Sequence, residues 1–270
     1  MAAAPRFAAH RGGAGLWPEN SLAAFAGALA LGIDLLELDV HLSADDEVVV
    51  IHDATLERTT EGTGAVQAWP AATLRRLRVR ARDGALTDER VPLLDDVLAL
   101  AARAGAELLL ELKGPAFSVR YGRGATGQIE IVSGPAYEGL EERVLVRLDA
   151  AGMRAHTTVM AFNPTVIEQM RTLAPSQRTT LLVSRDHVEH AAARATDTVE
   201  WAEHLGVTDL GLEHTLIDAD VVTGAHAGGL RLGAWTVNDE SALCRLAALG
   251  VDVITTDRPD LAMRIRDAAR

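Results

Sequence analysis

Residues 35–41 read Leu35-Leu36-Glu37-Leu38-Asp39-Val40-His41, an apolar run that closes on two acidic groups spaced two apart. Residues i and i+2 of a strand share a face, so Glu37 and Asp39 point the same way, toward the inside of a sheet whose strands are otherwise apolar. Leu108-Leu109-Leu110 closes in the same manner on Glu111-Leu112-Lys113, and Arg6-Phe7-Ala8-Ala9 closes on His10-Arg11. Three carboxylates, Glu37, Asp39 and Glu111, are thereby aimed at one small volume. Like charges held that close repel and raise one another's pKa unless a cation sits between them. The spacing therefore predicts an oxygen-liganded divalent metal.

Outward from this stretch, short apolar runs recur at 6–11, 35–41, 107–113, 157–162, 179–184, 207–213, 231–237 and 251–256, most of them followed by an amphipathic helical stretch. Asn20 or Ser21, Asn163-Pro164 and Asn238 stand where helices start, and Gly32, Gly105, Gly152 and Gly250 where they stop. Eight strand–helix units in a chain of 270 residues are the arithmetic of an α/β protein with a parallel (β/α)8 TIM-type barrel, although a doubly wound open sheet alternates similarly. Both architectures place their sites at the carboxyl ends of strands, where the charged pairs fall. Val48-Val49-Val50-Ile51 is expected to fold back on the second strand after a turn at Asp45-Asp46, which returns His52 to the same rim. Residues 54–92 are polar and too long for an ordinary barrel loop, so they read as a small insertion after the second strand. Residues 115–139 read as an inserted loop or hairpin after the third. Within them Gly122, Gly124 and Gly127 spell G-x-G-x-x-G, but strand-like Ile129–Val132 follows instead of a helix, which argues against dinucleotide binding. One barrel domain over 1–270 is expected.

Composition narrows the partners. A formal net charge of -12 works against non-specific binding to nucleic acid or to an anionic membrane face, so an anionic substrate needs a locally positive pocket. Cys244 is the single cysteine, which rules out an intrachain disulfide, and it is expected to pack inside a helix as a small apolar residue. Met1–Pro5 has no basic start and no long apolar stretch, and no apolar run reaches the roughly 20 residues of a membrane helix. These features predict a soluble cytoplasmic protein with no stable membrane association.

Taken in order, His10-Arg11-Gly12-Gly13, Pro18-Glu19-Asn20-Ser21 with Ala24-Phe25, Glu37-Leu38-Asp39-Val40, and His52-Asp53 with Arg58-Thr59-Thr60 closely resemble the glycerophosphodiester phosphodiesterase family. Val91-Pro92-Leu93-Leu94, Glu111-Leu112-Lys113, Trp235-Thr236-Val237-Asn238, and Gly250-Val251-Asp252 with Thr256-Asp257-Arg258-Pro259 extend the likeness. It is strongest over 6–113 and 230–260. Met160-Ala161-Phe162-Asn163 stands where a Ser-Phe pair is commoner, and 115–139 has no familiar counterpart; both departures bear on substrate range. The resemblance implies a barrel with its insertion at about 54–92 and a metal-dependent hydrolase that converts a small-molecule glycerophosphodiester to sn-glycerol 3-phosphate and an alcohol. Carried over by position, it makes Glu37, Asp39 and Glu111 the metal ligands, His10 and His52 the proton-transfer pair, and Arg11 and Lys113 the phosphate clamp.

The chemistry accounts for these residue types. Displacing an alcohol from a phosphodiester requires charge neutralisation at the phosphoryl oxygens, a base for the nucleophile and an acid for the leaving oxygen. Mg2+ or Ca2+ on three carboxylates, the donor fork of Arg11 and the point charge of Lys113 meet the first need. Two histidines that titrate near neutrality meet the others, and the resemblance provisionally implies His10 as base and His52 as acid. Trp235 either lines the pocket near the glycerol or fills the barrel mouth, and Asp53 and Glu19 either orient site residues or stay solvated or capping. His41, His156, His187, His190, His204, His214 and His226 are expected to be structural, as is Glu213. A lysophospholipase D needs, in addition, an apolar groove for an acyl chain. A non-catalytic ligand-binding barrel is disfavoured by retention of all seven polar residues.

Overall fold

The computed structural model describes residues 4–116, 119–123 and 129–268. Its centre is a closed barrel of eight parallel strands: β1 (Arg6–Ala9), β2 (Leu35–Leu42), β3 (Glu107–Leu112), β4 (Thr157–Ala161), β5 (Arg178–Val183), β6 (Asp209–Glu213), β7 (Arg231–Trp235) and β8 (Val253–Thr256). Each strand pairs with its sequence neighbours, and β8 pairs with β1 to close the ring, Ala9 opposite Thr256. The open-sheet alternative is thereby excluded. Eight main helices surround it: α1 (Leu22–Ala30), α2 (Leu94–Ala104), α3 (Leu140–Ala150), α4 (Pro164–Leu173), α5 (Asp197–Leu205), α6 (Ala219–Ala227), α7 (Glu240–Leu249) and α8 (Pro259–Ala268).

Alternation sorts each strand between two cores. Leu36, Leu38, Val40 and Leu42 of β2 face outward into the large core under the helices, with Phe7, Leu108, Leu110 and Val159 from neighbouring strands. Ala8, Leu35, Leu109, Met160, Leu182 and Val253 meet inside the barrel. At the amino end of the strands the interior turns ionic, with Glu107 between Arg6 (2.9 Å) and Arg178 (3.2 Å), and Arg231 2.5 Å from Asp209.

Local punctuation follows the chain's chemistry. Ser21 caps α1 by accepting from Ala24 N–H, Asn163 caps α4 ahead of Pro164, and Gly105 and Gly250 end α2 and α7 in the left-handed region. Two expectations are corrected. Asp239, not Asn238, caps α7, because the Asn238 side chain is engaged at the site described below. Cys244 lies on α7 but is exposed, since the inward stripe of that helix is taken by Ala242, Leu243 and Leu246.

Val48–Val50 pairs antiparallel with the end of β2, Val50 opposite Val40, and so brings His52 back to the rim. After it comes a small antiparallel sheet, Arg78–Arg80 with Leu86–Arg90, over a separate core of Val49, Ile51, Leu56, Val66, Leu74, Val79 and Val91. After β3, Arg120–Arg123 and Ile129–Val132 form an antiparallel pair, as expected for an inserted hairpin. Gly124 and Gly127 of the G-x-G-x-x-G pattern, and Met1–Ala3, lie outside the described residues.

Candidate active site

Asp39 and Glu111 are direct register partners on β2 and β3, and Glu37 stands two residues below Asp39 on the same face. Each contributes an oxygen to a group whose atoms all lie within 4.8 Å of one another, and all three residues are buried. Two cations partly balance them. Lys113 Nζ lies 2.6 Å from Glu111 Oε1 and 3.0 Å from Asp39 Oδ1, and Arg11 Nε lies 3.4 Å from Asp39 Oδ2. Arg11 reaches this position because it adopts φ 51° in a tight turn after β1, which aims its backbone N–H at Glu37 Oε2, 2.8 Å away. Asn20 donates to Asp39 Oδ2 at 2.9 Å.

Three carboxylates against two cations leave the cluster electrostatically unresolved. Burial, reinforced by Asp39 and Glu111, holds the Glu37 carboxyl well above its usual range, and burial pushes Glu111 up to about 7. Burial acts on Asp39 in the same sense, but Lys113 and Arg11 outweigh it and hold that carboxyl well below its ordinary value. A cation among the three oxygens relieves the crowding, and an all-oxygen donor set suits a hard ion. The cluster therefore fits a metal site.

Both rim histidines are held from behind by carboxylates. His10 Nδ1 donates to Asp257 Oδ1 at 2.7 Å, and Asn238 clamps Asp257 by donating to Oδ2 at 2.7 Å while accepting from its backbone N–H at 2.8 Å. His52 Nδ1 donates to Asp53 Oδ1 at 2.6 Å. Asp53 in turn takes two bonds from Arg58, which also grips Glu19, and Glu19 holds Arg11 at 3.0 Å. Burial lowers His52 to about 4. Its backbone carbonyl accepts from His41 Nε2, while His41 Nδ1 bonds the Tyr137 hydroxyl; the structural reading of His41 fits this. Phe162 and Trp235 meet edge to face, 5.3 Å between centroids, beside Lys113.

All eight residues singled out in the sequence, His10, Arg11, Glu37, Asp39, His52, Glu111, Lys113 and Trp235, stand at the carboxyl mouth of the barrel. All but Asp39 line one cavity of about 150 Å3 that runs down the barrel axis. A side cavity of about 470 Å3 shares His52, Glu111, Lys113 and Phe162 with it and is otherwise walled by Ala54, Ala116, Val119 and Pro135, among others.

The sequence model of the glycerophosphoryl diester phosphodiesterase family matches residues 10–261. The chain belongs to that family. YhdW of Bacillus subtilis strain 168 is 31% identical over 257 residues, covering 95% of this chain and 96% of the relative. The glycerophosphodiester phosphodiesterase of Caldanaerobacter subterraneus subsp. tengcongensis is 30% identical over 261 residues, covering 95% and 96%. Among solved structures, an Oleispira antarctica phosphodiesterase in complex with the product sn-glycerol-3-phosphate superposes with a TM-score of 0.75 at 28% identity, covering 98% of this chain and 97% of that one.

Within this glycerophosphoryl diester phosphodiesterase site, sequence reasoning missed three residues and left two undecided. Asp257, Asn238 and Asn20 lay inside motifs quoted for their likeness, but no spacing rule links them to His10 or Asp39, because those contacts cross the β8–β1 seam or the turn after β1. Asp53 and Glu19, read as either orienting or solvated, both orient. Glu213 is a structural acceptor as expected, taking Arg185 N–H at 3.0 Å and the Thr215 hydroxyl at 2.9 Å.

Proposed function

We propose that this phosphodiesterase hydrolyses glycerophosphodiesters to sn-glycerol 3-phosphate and an alcohol, with the barrel and its insertion acting as one catalytic unit. The supporting observation is convergence at one mouth of three carboxylates, two carboxylate-backed histidines and two cations. Glu37, Asp39 and Glu111 would hold Mg2+ or Ca2+, which supplies Lewis-acid stabilisation of the phosphoryl oxygens when bound. Arg11 and Lys113 bind the phosphate: the guanidinium is anchored by Glu19 at 3.0 Å, and the ammonium lies between Asp39 of β2 and its own neighbour Glu111 of β3. Trp235 and Phe162 wall the glycerol side.

His10 and His52 move the protons. Each has Nδ1 occupied by a carboxylate, leaving Nε2 for substrate. The two carboxylates are unequal. Asp53 shares its charge with Arg58, and the partial burial of His52 lowers its pKa to about 4, so His52 is suited to take a proton. Among the described residues, the Asp257 carboxylate takes side-chain bonds from His10 and from the uncharged Asn238, so it is free to back His10 as the donor to the leaving alcohol. This order reverses the provisional assignment made from resemblance.

The test is release of sn-glycerol 3-phosphate from glycerophosphocholine, with and without a chelator. Turnover that survives chelation would remove the metal from the reading, and product binding without turnover would favour a non-catalytic barrel. The side cavity beside His52, with its apolar walls, supports lysophospholipids as a second substrate class. Choline release from lysophosphatidylcholine tests that.

A further inference from the structure

Tyr137 is buried between the exposed Ala136 and Glu138, on the leg that returns the insertion after β3 to α3. Its hydroxyl lies 2.8 Å from His41 Nδ1, and the two rings meet edge to face with 5.7 Å between centroids. The leg itself is docked. Asn163 Nδ2 donates to the Gly134 carbonyl at 3.1 Å, the Thr165 hydroxyl bonds that of Ser133 at 2.7 Å, and a Cβ at Gly114 would lie 2.5 Å from the Pro135 carbonyl oxygen. Further out, Tyr121 of the hairpin stacks on Trp201 of α5 at 4.5 Å. A segment outside the strand–helix alternation thus presents one phenol to the end of β2.

The second nitrogen of His41 gives this contact a direction. The ladder that returns His52 to the rim ends at Ile51, whose N–H bonds the Asp39 carbonyl at 3.0 Å. Beyond it, His41 Nε2 meets the His52 carbonyl at 2.9 Å. A carbonyl only accepts, so Nε2 carries a proton. Burial at 2% exposure disfavours a charged ring, which leaves Nδ1 as an acceptor to which the Tyr137 O–H donates. The carbonyl so held belongs to the planar peptide unit between His52 and Asp53, whose side chains pair at 2.6 Å. Fixing that plane sets where both ends of the imidazole–carboxylate pair leave the main chain.

Resting on the phosphodiesterase reading, with His52 as a proton-transfer group, we propose that Tyr137 is a positioning residue for His52 that acts through His41. Its hydroxyl holds His41 in the tautomer that donates to the His52 carbonyl. The insertion after β3 is thereby part of the alignment of His52, besides walling the side cavity.

Tyr137→Phe removes one hydroxyl and keeps the packed ring. With saturating Mg2+ or Ca2+ it should lower kcat on glycerophosphocholine about three- to tenfold, the scale of one hydrogen bond, and leave KM unchanged. His41→Gln keeps an amide donor for the His52 carbonyl and should retain more of the native kcat than His41→Leu. Adding Tyr137→Phe to His41→Gln should cost little more, because the ring nitrogen that received the phenol is already gone. Thr165→Val loosens the same leg without touching the phenol and should keep the native kcat. Native kcat in Tyr137→Phe, the same fold-loss in both backgrounds, no advantage of His41→Gln over His41→Leu, or an equal loss in Thr165→Val would overturn the proposal. Histidine 15N spectra should show His41 of the native chain protonated at Nε2 alone, and the His52 ring resonances should move in Tyr137→Phe. A His41 ring protonated at Nδ1, or unmoved His52 resonances, would overturn it as well. If the native chain turns over no diester, the phosphodiesterase reading fails, and the spectra alone judge the link from Tyr137 to His52.

Discussion

Asp257 and His10 each follow the last residue of a strand, β8 and β1, whose ends Thr256 and Ala9 are register partners, and their side chains meet at 2.7 Å across the seam that closes the barrel. The carboxylate sets the ring orientation and tautomer of the histidine, so closure of the barrel and alignment of a proton donor are one event.

Asp257→Asn should therefore lower kcat about 10- to 100-fold on alkyl phosphodiesters, part of the ~10²–10⁴-fold that acid–base catalysis contributes. A p-nitrophenyl ester, whose leaving group needs little protonation, should lose much less. Steady-state rates on the two esters decide it, and equal losses would contradict a donor role for His10.

Arg58 links Asp53 to Glu19 and so reaches both His52 and Arg11. Arg58→Ala removes a cation near His52 and returns the full charge of Asp53 to it. The His52 pKa should rise from about 4, and the acid limb of the activity profile should move to higher pH. Following the imidazole by NMR across a pH titration checks this; an unmoved resonance would break the proposed chain.

In the chelated protein, Glu111 titrates at about 7, above its unfolded value, so the folded state holds the proton more tightly. Its contribution to stability is complete below the unfolded pKa of about 4.3 and disappears as pH rises through 7. Unfolding midpoints of the apo protein should fall between pH 5 and 8 more steeply than those of Glu111→Gln. Saturating Mg2+ or Ca2+ should raise the native midpoint at pH 8 and flatten the slope. Parallel slopes for the two proteins would count against the crowded cluster.

Gly12, at φ 80°, packs so closely on α1 that a Cβ would lie 2.7 Å from Ala24 Cβ. Gly12→Ala should destabilise by about 1–3 kcal/mol and lower phosphate affinity, because the same turn carries Arg11. Denaturant midpoints and inhibition by inorganic phosphate measure the two effects; a wild-type midpoint would show that α1 can yield.

Barrel topology was legible because it rests on local regularities: eight apolar runs, helix caps such as Ser21 and Asn163, and glycine stops such as Gly105. The acidic cluster was legible for a related reason. Two-residue alternation places Glu37 and Asp39 on one face, and the strand end at Glu111 adds the third carboxylate. Cys244 and Asn238 were misread because helix periodicity leaves rotation and cap position open by a residue, and packing against neighbours settles both.

The linear chain by itself determined the strand–helix alternation and the charges at strand ends, since both follow from side-chain period and local backbone preference. Tertiary structure alone decided that Asp257 backs His10 and that Arg58 ties Asp53 to Glu19. Those contacts join segments as much as 247 residues apart, and only the closed ring of strands brings their side chains within bonding distance.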